Sequence, residues 1–220
     1  MKTIIVAPHP DDEVLGAGGT LLRRKGEGSI VAWLIVTSIS TKHGFSDEKV
    51  KQRAEEIKSV AGVFGFDVVF ELNFPTTQLD RIPMSDLVTA ISDVFNSFEP
   101  NEVFVPHPAD VHTDHGVVFN AVTSCTKWFR HPSVKRVLAY ETLSETDFCL
   151  GNSQCFRPNV FVNIEPYLED KLRLMNIYAS EMGVYPFPRS YEAIRALASV
   201  RGSASGFQAA EAFELLRERL

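Results

Sequence analysis

Two short stretches of this chain concentrate residues able to bind a metal ion or move a proton. They are His9-Pro10-Asp11-Asp12-Glu13 and Asp110-Val111-His112-Thr113-Asp114-His115. In the first, a histidine and a carboxylate three residues apart can converge on one ion if the backbone turns between them, and Pro10 promotes a turn. The second offers two imidazoles and a carboxylate between His112 and His115. Zinc accepts imidazole nitrogen and carboxylate oxygen, and catalytic zinc sites commonly use three protein ligands plus a water. Two histidines and one aspartate would meet that count. Each stretch also has a plainer reading. Asp11 and Asp12 would be stabilised at a helix N-terminus with no further role. His112 and His115 would be surface residues on a first helical turn. The plainer reading weakens when both stretches are taken together with their place in the chain.

That place follows from the elements around them. Ile4-Ile5-Val6 is an apolar run stopped at Pro8 and reads as a buried strand. Residues 12–25 read as a helix, although Gly16, Gly18 and Gly19 lower its propensity and point to close backbone packing. Residues 30–36 form a second strand, nearly all apolar, as buried parallel strands are. Residues 38–45 are polar and read as a loop, 47–64 as a helix ended by Gly65, and 68–70 as a third strand. In residues 83–98, Leu87, Val88, Ile91, Val94, Phe95 and Phe98 share one helical face, and Pro83 suits the first turn. Residues 103–105 form a fourth strand stopped by Pro106, 113–129 a helix, and 134–140 a fifth strand. Residues 159–164 add a strand; 166–182, 190–200 and 209–220 read as helices.

Alternating strands and helices imply βαβ units, a parallel sheet and right-handed crossovers. The expected class is therefore α/β. With no linker, repeat or low-complexity tract, residues 1–220 are expected to form one domain. Both histidine-carboxylate clusters follow a strand, and open α/β sheets bind ligands outside the carboxyl ends of their strands. Two clusters distant in sequence can meet there.

Composition excludes other classes. A net charge of -6 argues against a nucleic-acid surface. No apolar run is long enough to span a bilayer, and the N-terminus lacks a signal-peptide core, so a soluble, cytoplasmic protein is expected. Cys125, Cys149 and Cys155 are odd in number, which argues against a disulfide framework; all three are expected to be packing residues. No dinucleotide fingerprint, phosphate-loop lysine or GxSxG elbow is present.

Ala7-Pro8-His9-Pro10-Asp11-Asp12-Glu13 followed by Gly18-Gly19-Thr20 resembles the opening of the PIG-L/LmbE-like N-deacetylase family. Asp110, His112, Asp114 and His115 match its second motif. Weaker matches are Arg53 with Glu56, residues 158–164, Lys171, and Ala210-Glu211-Ala212-Phe213. The resemblance implies a Rossmann-like three-layer sandwich with a mostly parallel sheet. It also implies one zinc ion per chain on His9, Asp12 and His115, and hydrolysis of the acetamide of an N-acetylated amino sugar. Asp11 would be the general base. His112 would be protonated and face the substrate, held cationic by Asp114. Arg53 and Asp80 match positions near the sugar, although Arg53 could equally pair with Glu56. Family members are often trimers or hexamers, so a homo-oligomer is implied. Other readings stay open: a different metallohydrolase, such as an amidase or a phosphoesterase using two metals, and a non-catalytic sugar-binding protein. Glu13 is expected to anchor its loop, His107 to be a non-ligand, His43 and His131 to be solvated, Trp33 to lie in the core, and Trp128 to pack its helix. The stretch 185–189 reads as a lid or a rigid connector.

Overall fold

Ile4-Ile5-Val6 is flanked on both sides by equally apolar runs, and the chain stacks them side by side. The computed structural model describes residues 1–150 and 155–220. Among these residues, seven strands form one sheet in the order β3-β2-β1-β4-β5-β7-β6. They are β1 (Lys2–Ala7), β2 (Ile30–Ser38), β3 (Val68–Pro75), β4 (Glu102–Pro106), β5 (Arg136–Tyr140), β6 (Val160–Asn163) and β7 (Ala210–Glu218). β1 to β5 pair in parallel, and β7 runs antiparallel to both β5 and β6. The helices are α1 (Asp12–Gly26), α2 (Asp47–Phe64), α3 (Met84–Phe98), α4 (Thr113–Ser124), α5 (Leu168–Ile177) and α6 (Tyr191–Ser203). No helix among the described residues is long and apolar enough to cross a membrane.

The period-two alternation of each strand sorts the core into two layers. Ile5, Ala7, Trp33 and Ile35 face α1, α2, α5 and α6, while Ile4, Val6, Leu34 and Val36 face α3 and α4. Each fully buried aliphatic side chain of this kind contributes roughly 1.5–3 kcal/mol. The result is the expected three-layer α/β sandwich.

Helix α1 is pressed onto this sheet. A Cβ at Gly16 would lie 2.2 Å from the Tyr140 ring, and one at Gly19 would lie 2.8 Å from Ile164. Tyr140 cannot retreat easily, because its hydroxyl donates to the Val6 carbonyl at 3.0 Å. Gly16→Ala is therefore expected to destabilise the fold by about 1–3 kcal/mol, the usual cost of overpacking. Denaturant midpoints would show it; an unchanged midpoint would mean the helix can shift freely.

Three segments depart from the sequence expectation. Residues 210–218 are a strand, not a helix. Ala, Glu and Leu favour helix intrinsically, but the gap between β5 and β6 offers a full set of ladder partners, and tertiary pairing outweighs propensity. Helix α4 stops at Ser124, capped at Cys125, rather than at Phe129. Trp128 is consequently 63% exposed and does not pack the helix. His131 is buried, with Nε2 2.9 Å from the Ser92 hydroxyl, and is not solvated.

Candidate active site

The sheet order places β1 between β2 and β4, so the connections diverge at the carboxyl ends of β1 and β4. Such a switch point leaves a crevice. The chain after β1 turns through Pro8-His9-Pro10, and the Pro8 carbonyl accepts from both the Thr37 amide (3.1 Å) and its hydroxyl (2.8 Å). The chain after β4 reaches α4 with His112 at the N-cap. The two clusters meet in one cavity of about 880 Å³, lined by His9, Asp11, Asp12, Arg53, His112 and His115 among others.

Asp12 is the centre of the cluster. Its Oδ2 lies 3.4 Å from His9 Nδ1 and 3.3 Å from His115 Nε2, and it accepts the His9 amide at 2.9 Å. Among the described residues, His9, Asp12 and His115 place one ligand atom each within 4.8 Å of one another, and so do His9, His112 and Asp114. The first group fits a metal better. In the second, the Asp114 carboxylate is already engaged by the amides of Thr77 (2.7 Å) and Leu79 (3.2 Å) and by His9 Nε2 (3.2 Å). In the first, His115 Nδ1 is held by Asp110 at 2.8 Å, which leaves Nε2 directed at Asp12. A carboxylate behind a ligating imidazole fixes its tautomer and strengthens it as a donor. Asp110 also accepts from the Thr146 hydroxyl at 2.6 Å. Asp110→Asn is expected to weaken metal affinity roughly 10–100-fold while the fold persists. Competition with a metal-binding dye would measure this; unchanged affinity would remove Asp110 from the ligand support.

Charge states follow from these contacts. Burial opposes charge on His9, but hydrogen bonds to Asp114 and Asp12 outweigh it and push it up to about 9. Burial likewise opposes charge on His115, and Asp12 and Asp110 hold it well above the usual imidazole range. Burial alone would raise Asp12, yet His115 and His9 keep it well below the usual carboxylate range. Both shifts favour the protonated imidazole in the absence of metal, whereas a ligating imidazole must be neutral. Metal uptake at pH 7 is expected to release protons, and affinity to strengthen as pH rises toward the raised His9 value. Calorimetry in buffers of different ionisation heat would count them; an affinity flat with pH would contradict the pairing.

Asp11 sits beside this cluster in a strained backbone, φ 125°. Such conformations cost about 1–3 kcal/mol and persist where surroundings impose them. Here the Asp11 amide donates to Glu13 Oε2 (3.0 Å), and Glu13 Oε1 accepts from the Tyr178 hydroxyl (2.8 Å). Glu13 thus anchors the loop, as expected. Burial, then Asp12 and Glu181, push Asp11 up to about 8, with Arg189 and His9 acting against them.

Two expected assignments change. The hydrogen bonds of the Asp114 carboxylate go elsewhere than to the His112 ring, although its charge favours a proton there. It serves Thr77, Leu79 and His9, while the Asp114 backbone amide donates to His112 Nδ1 at 3.2 Å. Burial, then the charges of His9 and His115, push His112 down to about 4. With Nδ1 accepting, a proton on this ring would sit on Nε2. Asp80 is exposed and lies outside the cavity lining, since its loop is turned to cap Asp114 through the Thr77 and Leu79 amides. Arg53 lines the cavity and is also paired: Nε contacts Glu56 (3.3 Å), Nη1 donates to the Pro10 carbonyl (3.0 Å), and Nη2 donates to Glu181. His107 is buried and belongs to neither ligand group.

Sequence reasoning missed Glu181 and Arg189. Arg189 Nη1 lies 3.5 Å from Asp11 Oδ2 and its Nη2 3.3 Å from Glu181 Oε2. They come from the connector between α5 and α6, which carries no motif; only the placement of one arginine after Tyr185-Pro186-Phe187-Pro188 hinted at a rigid arm.

The model of the PIG-L family, described as GlcNAc-PI de-N-acetylase, matches residues 4–126. The chain is 26% identical over 184 residues to a protein named uncharacterized deacetylase YaiS of Escherichia coli K12, covering 80% of this chain and 90% of that one. It is 28% identical over 222 residues to diacetylchitobiose deacetylase of Thermococcus kodakarensis, covering 96% of this chain and 81% of that one. The solved structure of the conserved protein TT1542 from Thermus thermophilus superposes with a TM-score of 0.80 at 27% identity, covering 99% of this chain and 96% of that one. The matched residues make up more than half of the chain and contain both histidine-carboxylate clusters, so the chain belongs to the PIG-L family of N-deacetylases.

Proposed function

We propose that this protein is a zinc-dependent deacetylase that hydrolyses the acetamide of an N-acetylated amino sugar, releasing acetate and free amine. The observation that carries the reading is the convergence of His9, Asp12 and His115 beside a buried, separately held Asp11. A zinc ion on those three residues would supply Lewis acidity, polarising the amide carbonyl and making water acidic enough to attack.

The chain's own groups do the rest. Asp11 takes the proton of the attacking water in its ionised form; burial and Asp12 push it up to about 8, and the charge of a zinc ion on the neighbouring ligands would favour ionisation. Neutral His112 donates its Nε2 proton as a hydrogen bond to the oxygen on which negative charge develops. A neutral imidazole at a helix N-terminus is suited to this, because the helix end disfavours its protonation. Asp114 orients that imidazole through its amide and holds His9 through its carboxylate. As the C–N bond breaks, Asp11 returns its proton to the departing nitrogen, so water is consumed and acetate and amine appear in equal amounts. Arg189 and Arg53 brace Asp11 and the Pro10 turn from the opposite wall.

The relative named diacetylchitobiose deacetylase supports a sugar amide as substrate. The test is an assay of acetate and amine over N-acetylated amino sugars, run after chelation and again after zinc is restored. Equal release only with zinc is expected. Phosphate release from sugar phosphates without any acetate would favour the phosphoesterase reading instead.

A further inference from the structure

We propose that Glu145 is a specificity residue of the deacetylase site, hydrogen-bonding the hydroxyl on the ring carbon next to the one that carries the acetamide. This rests on the deacetylase reading and adds a feature the substrate must carry. β1 and β4 deliver the two His/Asp clusters, and β5 lies beside β4 in the sheet. Ligands of such sheets sit outside the carboxyl ends of the strands. The chain leaving β5 at Tyr140 turns there, and Glu145 of that turn lines the same cavity as His9, Asp12 and His115.

The turn is pinned to the back of the metal-binding cluster. The Thr146 hydroxyl donates at 2.6 Å to Asp110, the carboxylate that holds His115. The Val111 amide donates to the Glu145 carbonyl at 3.3 Å, and the Glu145 amide donates to the Thr142 carbonyl at 3.1 Å. Ser144, just before it, has φ 74°. A side chain disfavours that left-handed conformation, which persists where the surroundings impose it. Backbone contacts thus fix where Glu145 begins, and its side chain is left to the cavity.

The neighbouring charged groups of the cavity are already engaged. Arg53 pairs with Glu56 and Glu181, Arg189 with Glu181 and Asp11, and Asp12 with His9 and His115. Glu145 is half-buried, yet its carboxylate makes no hydrogen bond or ion pair among the described residues. Burial raises it above the usual carboxylate range, and the charges that act on it are those of His115, Asp12, Asp110 and Arg189. It therefore stands toward the cluster and not at the outer rim.

A half-buried carboxyl group without a partner is one that a ligand can satisfy. An anionic group would meet its charge. A cationic group would meet Arg189 and a metal ion on His9, Asp12 and His115. A hydroxyl meets neither obstacle, and it can donate to a carboxylate or accept from a carboxylic acid. Because Glu145 stands toward the cluster, it reaches the part of the sugar beside the reacting amide. In a 2-acetamido sugar whose C1 oxygen is substituted, the free neighbour is the C3 hydroxyl.

The test uses zinc-loaded protein with the methyl glycosides of N-acetylglucosamine and of its 3-deoxy and 4-deoxy counterparts. A hydrogen bond to a charged group is worth roughly 10- to 100-fold, so kcat/KM is expected to favour the parent over the 3-deoxy sugar by about that factor. Glu145→Ala should lower the parent by the same factor and leave the 3-deoxy sugar nearly unchanged, so that the two losses do not add. Glu145→Gln keeps an acceptor oxygen and should recover part of the preference. The 4-deoxy sugar should respond to Glu145→Ala as the parent does. Methyl glucosaminide and its 3-deoxy counterpart are titrated calorimetrically alongside, and the unaltered chain is expected to bind the former more tightly. A loss shared equally by the parent and the 3-deoxy sugar, or one coupled to the C4 hydroxyl instead, overturns the assignment and leaves the deacetylase reading standing. No acetate from any glycoside overturns the deacetylase reading, and the titration then decides Glu145 separately: equal affinities, or a difference that survives Glu145→Ala, would sink it.

Discussion

Asp12→Ala is expected to empty the metal site and lower acetate release roughly 1,000-fold or more. The magnitude follows from what the carboxylate does. It is the one anionic member of the His9-Asp12-His115 group, and both imidazoles approach the same oxygen, Oδ2. Removing it takes away a ligand and leaves a half-buried His9 ring and a buried His115 ring without the carboxylate between them. Lewis acidity is worth several kcal/mol of transition-state stabilisation, and each 1.36 kcal/mol is about tenfold in rate. The fold should survive, because the sheet and both apolar layers are independent of Asp12. Metal content by elemental analysis, read beside the circular dichroism spectrum, checks this. A folded Asp12→Ala protein that keeps its metal and its rate would remove Asp12 from the ligand set.

Asp11→Asn should behave differently. It preserves size, and the Asp11 amide that donates to Glu13 is backbone, so the strained turn remains held. The three ligand atoms are untouched. Metal content should stay near that of the unaltered protein while kcat falls about 100- to 10,000-fold, the range for loss of a positioned acid-base group. The contrast between the two variants separates ligand from base. An asparagine variant of near-normal rate with metal bound would transfer the base role to another residue of the cavity wall, such as Glu181 or Glu145.

Much of the frame was legible because local and global signals agree. The apolar runs of β1 and β2, the stripe of α3, and α2 with its Gly65 stop each specify one element. The two His/Asp motifs were legible as one site because both end a strand next to the switch point. Residues 210–218 were not, since their helix-favouring composition is overruled by the ladders of β5 and β6, which no local window contains. The pairing of Asp114 with His112 was implied by the family resemblance; the two amides that the 76–79 loop gives to its carboxylate come from a distant segment that no local window contains. Arg189 and Glu181 reach the site from a connector without a motif, so only the folded chain reveals them.

The most direct measurement is a zinc titration of the chelated protein with acetate release followed at each addition. Release should rise in proportion to zinc and level off at one ion per chain, on the site formed by His9, Asp12 and His115. Full release without zinc, a requirement for two ions, or no acetate at any zinc concentration from any N-acetylated sugar would contradict a single-metal deacetylase.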